Sequence, residues 1–450
     1  MNTPAEPNQK QINMLSNDEY QNQEPDHGQS EGRHSSHHTI EEKHQVIVDG
    51  PDGGFVGWLQ VVSAFLLVLD GFGFITAFGV FQATYIEMMP HMGKSAISWI
   101  GSMQIFLLFL LGTVSGRAID AGYFRVTLLV GFAFQLGGIF GASFATQYWH
   151  FLLSQGIATG IGNGMHFTAL VWLVSQYFTK RRGLALGISS CGAPIGAVIF
   201  TVMAKQLLKP ASLAWTLRAM GFLVLFNSII VFLISRPKEA KRSSGPLLEL
   251  AAFKELPYLL FTIGMFFTLL GAYFAYYYVP IFGKTKLKQS EDQAFTILII
   301  MSAVGLTGRL IPPYFADRSI KPLRTLVISS LLSSLNLYAW AGVNSTAGLT
   351  AWVVAYAFTV NAVQTLFTAS MGEVTTDMSK LGVRIGMVFT VVSFACLAGP
   401  PIGGSLVTKD DNYLYSQIFA GTSMLVGGLL VALAKIKQVG QRDFWRIKST

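Results

Sequence analysis

Charge and cysteine are what this chain has least of. Only 12% of its 450 residues are Asp, Glu, Lys or Arg, about half the usual share of a soluble domain. Hydrophobic residues make up 51%, and the mean hydropathy is +0.47. A chain this long and apolar exceeds what one or two water-soluble cores can cover. The two cysteines, Cys191 and Cys396, sit inside apolar runs. That excludes a disulfide framework and zinc-site spacing, so both read as small packing residues. Metal-ligand spacing, nucleophile motifs and strand–loop–helix nucleotide units are all missing, so no enzymatic activity, cofactor or metal is expected. The net charge of +8 could point to nucleic acid. Its Lys and Arg residues instead cluster between apolar runs, as topology-setting charges do. The expected partners are therefore a lipid bilayer and a small organic molecule, with protons as the candidate coupling ion and no nucleic acid.

Residues 1–54 lack apolar periodicity and are read as a disordered cytoplasmic tail without a cleavable signal peptide. His34, His37, His38 and His44 lie there and read as solvated side chains rather than a metal site. Twelve apolar segments long enough to span a bilayer as helices then follow, from Gly57–Tyr85 to Tyr413–Ala434. The break at Ser175–Arg182 is essential, because without it the fourth and fifth spans would be one impossible helix.

Orientation follows from charge. With both ends cytoplasmic, the inner connections hold Arg117, Arg125, Lys180, Arg181, Arg182, Arg236, Lys238, Lys241, Arg242, Lys254, Arg318, Lys321, Arg324, Lys380 and Arg384. The outer ones hold Lys94, Lys205, Lys209, Lys284, Lys286, Lys288 and Lys409. The inward bias is about two to one, as the positive-inside rule requires, and Lys284–Lys288 is the awkward outer cluster. The sequon Asn344-Ser345-Thr346 falls in an outer connection.

The chain also looks duplicated. Gly192-Ala193-Pro194-Ile195-Gly196 in the fifth span is echoed by Gly399-Pro400-Pro401-Ile402-Gly403 in the eleventh, and Gly116-Arg117 by Gly308-Arg309. The expected fold is an all-α membrane protein of two six-helix bundles, 55–235 and 257–436. A cytoplasmic linker at 236–256 joins them, and a cytoplasmic tail at 437–450 follows. Parallel repeats of this kind hold their substrate site between the halves.

Two signatures carry a family resemblance. One is Pro51-Asp52-Gly53-Gly54-Phe55-Val56-Gly57-Trp58 at the start of the first span. The other is Tyr177-Phe178-x-x-Arg181-Arg182-x-Leu184-Ala185-x-Gly187, continuing to Gly192–Gly196. With these the chain resembles the major facilitator superfamily, and within it the monocarboxylate-porter family. Gly79-Val80-Phe81-Gln82, Gly122-Tyr123-Phe124-Arg125 and Arg384-Ile385-Gly386-Met387 are similar to its fungal branch. The resemblance implies that spans one, four, seven and ten line the central cavity. Animal members place a lysine where this chain has Thr76, and an aspartate where it has Gly305. Those charges are tied to proton coupling and carboxylate binding, so a lactate-like proton symport is not implied here.

Ionisable groups inside a membrane are costly, and each is a functional candidate. Arg309 is the foremost, a permanent cation able to hold an organic anion through paired hydrogen bonds. Asp70, about 20 Å along the first span, reads either as a proton-titrating or substrate-contacting carboxylate or as a structural group against Gly71 and Gly73. A direct Asp70–Arg309 pair is not expected, because their depths differ by about 10 Å. His166 and Asn163 share one helical face and read either as substrate or proton-relay groups or as packing. Asn361 and Gln364 share a face of the tenth span as candidate substrate ligands. Tyr273, with Tyr276 and Tyr277, reads as an aromatic wall or as an interfacial belt. Asp120, Arg181 and Arg182 read as gating residues.

These features point to a secondary active transporter working by alternating access on a small organic compound, expected to be anionic or acid-like because of Arg309. The leading expectation is efflux of a fungal secondary metabolite across the plasma membrane. The second is proton-linked uptake of a monocarboxylate or a riboflavin-like vitamin, and the third is a non-transporting membrane sensor.

Overall fold

A computed structural model describes residues 53–178, 181–238, 249–375, 380–408 and 410–448. The histidine-bearing segment 1–52 and the side chains of Asp120 and Arg182 lie outside the described residues. The described residues are helical, without a strand. Ten helices are long and apolar enough to cross a membrane. One of them, Leu184–Ile234, reverses direction at Ser212, where φ is 72° just after Pro210. It thus makes two traverses. Pro322–Ala339 falls below the hydropathy needed because it buries Ser329, Ser330, Ser333 and Ser334, yet it spans the same layer between its neighbours. The total is twelve traverses.

We number these α1 (Gly54–Met88), α2 (Lys94–Asp120), α3 (Phe124–Ala142), α4 (Tyr148–Tyr177), α5 (182–211) and α6 (213–234). The second set is α7 (Leu256–Thr285), α8 (Glu291–Phe315), α9 (Pro322–Ala339), α10 (Thr346–Val374), α11 (Leu381–Ser405) and α12 (Leu414–Lys448). Helix starts are specified locally. Ser290 and Gln293 form a reciprocal capping box at α8, Ser345 caps α10, and Pro257 and Pro322 occupy first-turn positions. The last helix runs on to Lys448, so the segment expected as a tail from 437 begins as helix.

An even number of traverses puts the start of α1 and the end of α12 on one face, the terminal face. The other is the distal face. Helix pairing repeats between the halves. α2 packs on α4 as α8 packs on α10, and α1 packs on α5 as α7 packs on α11. The duplicated glycine motifs explain the second correspondence. A Cβ at Gly192 or Gly196 would lie 2.3 Å from the carbonyl of Phe65 or Leu69 in α1. At Gly399 it would lie 2.1 Å from the Leu270 carbonyl in α7, and at Gly403 2.3 Å from the Phe274 ring. Backbone approach this close requires residues without side chains. Three seams join the halves: α2 against α11, α5 against α8, and the Phe78–Met88 part of α1 against α7.

The two signature segments meet on the terminal face. Gly53 N–H donates to the Tyr177 carbonyl at 3.2 Å, and the Trp58 ring meets Phe178 edge-on at 5.2 Å. Gly53 has φ 105°, a conformation that favours glycine. In the second half, Arg384 is buried and bonds two glutamates, Glu249 at 3.0 Å and Glu255 at 2.6 Å. The Arg384 and Lys380 cations pull the Glu249 carboxyl down to about 2. Ionised Glu249 therefore holds this clamp at and above neutral pH, and the clamp weakens only as pH falls toward that value.

Candidate functional site

The intramembrane charges divide between two environments. Arg309, on α8, is 9% exposed and faces the α5 seam. Its Nε donates to Asn361 Oδ1 at 3.0 Å, its Nη2 to Gln364 Oε1 at 2.7 Å and its Nη1 to the Ser190 carbonyl of α5 at 3.5 Å. Asn361 Nδ2 in turn donates to the Tyr276 hydroxyl at 2.8 Å and to the Ala357 carbonyl at 2.9 Å. Helical spacing makes this possible, since Asn361 and Gln364 stand one turn apart on α10. Gly305, one turn before Arg309, leaves the room that Asn361 fills. A Cβ there would lie 2.6 Å from Asn361 Nδ2. Tyr273 is buried beside Tyr276, with ring centroids 6.2 Å apart.

The first-half candidates go elsewhere. Asp70, in a π-helical turn of α1, accepts from Asn227 Nδ2 of α6 at 2.8 Å. Asn163 Oδ1 accepts from Gln135 Nε2 of α3 at 2.9 Å. His166 Nε2 lies 3.3 Å from the Leu128 carbonyl, and its ring sits 4.5 Å from Phe132. These three side chains are buried in contacts among α1, α3, α4 and α6. None of their described hydrogen bonds reaches Arg309, and none joins Asp70 to it. The structure thus brings Arg309, Asn361, Gln364 and Tyr273 together with Tyr276, and sets Asp70, Asn163 and His166 apart.

Sequence reading passed over three participants. Ser190 contributes only a backbone carbonyl, which leaves no trace in residue type. Gln135 and Asn227 were legible only as isolated polar residues in apolar spans. Of the expected gating residues, Arg181 is exposed at the terminal-face start of α5. Tyr277 and Tyr278 turn to the other half, Tyr277 toward Phe78 at 5.0 Å and Tyr278 donating to the Lys94 carbonyl at 3.2 Å.

The distal face carries ion pairs that cross between the halves. Lys94 pairs with Asp411, and Lys284 pairs with Glu87. Lys209 lies 3.5 Å from Asp292 and 3.9 Å from Glu291. Ser95 also donates across the seam, to the Pro401 carbonyl at 2.8 Å. The awkward Lys284 therefore has an acidic partner. The ion pairs described on the terminal face, centred on Arg384, join the 236–256 linker to the second half.

Two bundles meeting at a buried cation, closed on one face by ionic contacts, form a frame suited to carrying a solute across a membrane. Residues 61–375 match the Major Facilitator Superfamily. The chain belongs to this superfamily. It is 40% identical over 408 residues to an MFS-type transporter of Gibberella zeae, covering 90% of this chain and 92% of that protein. It is 31% identical to an aspyridones efflux protein of Emericella nidulans, covering 86% and 79%. It is 31% identical to a fujikurins efflux protein of Gibberella fujikuroi, covering 85% and 83%. The chain is a multi-pass membrane transporter of the superfamily.

Proposed function

We propose that the protein exports a small organic anion, a secondary metabolite, from the cytoplasm across the plasma membrane by alternating access. Arg309 is the group that binds the anion. The observation that carries this is the neutrality of its surroundings: every described hydrogen bond of this buried guanidinium goes to an amide or carbonyl oxygen. A desolvated charge without a counter-charge is costly, and an arriving carboxylate or enolate would offset that cost. Asn361 and Gln364 hold the guanidinium plane, Tyr276 orients Asn361, and Tyr273 flanks the site.

Efflux is favoured because relatives of this length and similarity are named efflux proteins. The meeting of Gly53 and Trp58 with Tyr177 and Phe178 supports assignment to the monocarboxylate-porter family, whose two signatures these residues carry. The charge bias makes the terminal face cytoplasmic. The distal ion pairs then seal the extracellular side, and the terminal side is where substrate enters. Asp120, Arg181 and Arg182 are proposed to close that side in the alternate state. Asp70, with only Asn227 described against its carboxylate, is proposed as the group that couples protons to movement between α1 and α6.

The test is flux. Purified protein in liposomes, with a pH gradient imposed, should move labelled organic acids, and Arg309→Ala should lose most of that movement. A folded wild-type protein that moves none of a broad panel of acids would favour a sensor instead.

A further inference from the structure

Five phenylalanines from five helices meet in one cluster, and one of them, Phe367, stands a turn from Gln364 on α10. Phe389 of α11 stacks on Phe109 of α2, with centroids 5.1 Å apart and planes at 18°. It meets Phe167 of α4 edge-on at 5.2 Å and Phe367 of α10 edge-on at 5.2 Å. Phe72 of α1 adds edge contacts to Phe109 and Phe167, at 6.1 and 5.6 Å. Three of these rings belong to the first half and two to the second, so the cluster closes the α2–α11 seam. Phe109, Phe367 and Phe389 are buried, so the cluster is no lipid-facing belt.

Helix α10 links the cluster to the cation. Phe367 follows Gln364 by one turn on the same face. Gln364 bonds Arg309, while Phe367 bonds into the ring cluster. Leucines would fill such a seam as well by volume. Rings add a directional preference for other rings, through edge and offset-stacked contacts. Because the cluster spans both halves, its rings must part whenever the seam opens, and a flat guest could then replace the lost contacts.

We infer that the exported anion carries an aromatic or conjugated ring, its acid group on Arg309 and its ring among Phe389, Phe109, Phe167 and Phe367. This rests on the organic-anion reading above and names the class of anion. Phe389 and Phe367 become specificity-determining residues.

The test compares 2-naphthoate with decahydro-2-naphthoate, equal in charge and similar in size, by equilibrium dialysis against the purified full chain. The saturated acid is the more apolar, so a preference for naphthoate cannot come from simple transfer out of water. Naphthoate should bind roughly ten-fold tighter, the worth of about two ring contacts. Phe389→Leu and Phe367→Leu, with folding checked by thermal melting, should each narrow that ratio to about three-fold by weakening naphthoate alone. Phe389→Tyr should keep it. Equal binding of the two acids by the wild type overturns the inference and leaves the organic-anion reading standing. Equal weakening of both acids by the leucine variants also overturns it. Binding of neither acid overturns both readings together.

Discussion

The two halves share a fold and differ in how they treat polar groups inside the membrane. In the first half, Asp70, Asn163 and His166 are each turned onto a neighbouring helix of the same half and bonded there. In the second, Arg309, Asn361, Gln364 and Tyr276 form one connected network that touches the first half through the Ser190 carbonyl. Matching backbones therefore do not imply matching roles. Asn163 and His166 are bonded within their own bundle, with Asn163 Nδ2 left without a partner among the described residues, and are proposed to hold that bundle together, while Asp70 is proposed to couple protons to its movement. The cation proposed to bind the ligand has, by contrast, only neutral hydrogen-bond partners and stands where the bundles meet.

The most severe way to break this comparison is Arg309→Ala. Removing one member of a buried charge pair costs about 2–5 kcal/mol, so substrate affinity should fall by at least about 30-fold in dialysis or flux assays. An Arg309→Ala variant with wild-type affinity would end the distinction between the halves. His166→Ala and Asn163→Ala should act in the opposite sense. Each removes a buried bonded group and should lower stability by about 1–3 kcal/mol, seen as a lower melting temperature in detergent. Affinity should stay within about three-fold. If either instead weakens binding as much as Arg309→Ala, the first half supplies ligands too.

Asp70→Asn keeps the shape and the chance of bonding Asn227 but fixes the charge at zero. Flux driven by a pH gradient should lose its dependence on that gradient, while affinity measured at one pH changes little. Retained pH dependence would move coupling elsewhere. The smallest effect is expected on the distal face. Each exposed ion pair is worth about 0.2–1 kcal/mol, so Lys94→Gln combined with Lys284→Gln should raise labelling of a cysteine introduced into α2 from the distal side by only a few-fold. No change would mean that the Ser95–Pro401 contact and apolar packing close that face without them.

Much of the fold was legible because lipid imposes a plain rule: twenty or so apolar residues make a span. The rule strained where packing replaced it. Pro322–Ala339 hides its serines against other helices, and Ser334 donates to the Gly421 carbonyl at 2.8 Å. The α5–α6 reversal rests on one residue of positive φ. The repeat was legible because glycine is needed wherever two backbones nearly touch. The candidate site was legible only in part. An arginine within an apolar run announces itself, and periodicity places Asn361 and Gln364 on one face. Periodicity cannot say which neighbour a face meets, so Asp70 and His166 look like Arg309 in the sequence. Only the structure separates them. The five-ring cluster draws on five distant segments, and none of its phenylalanines differs locally from those that face lipid.

The central claim is that a negative charge on the cargo engages Arg309. Inside-out vesicles holding the wild type or Arg309→Ala, supplied with a labelled aromatic acid and its methyl ester, test it directly. The wild type should concentrate the acid and ignore the ester, and Arg309→Ala should concentrate neither. Equal accumulation of acid and ester by the wild type would contradict the claim, as would undiminished transport of the acid by Arg309→Ala.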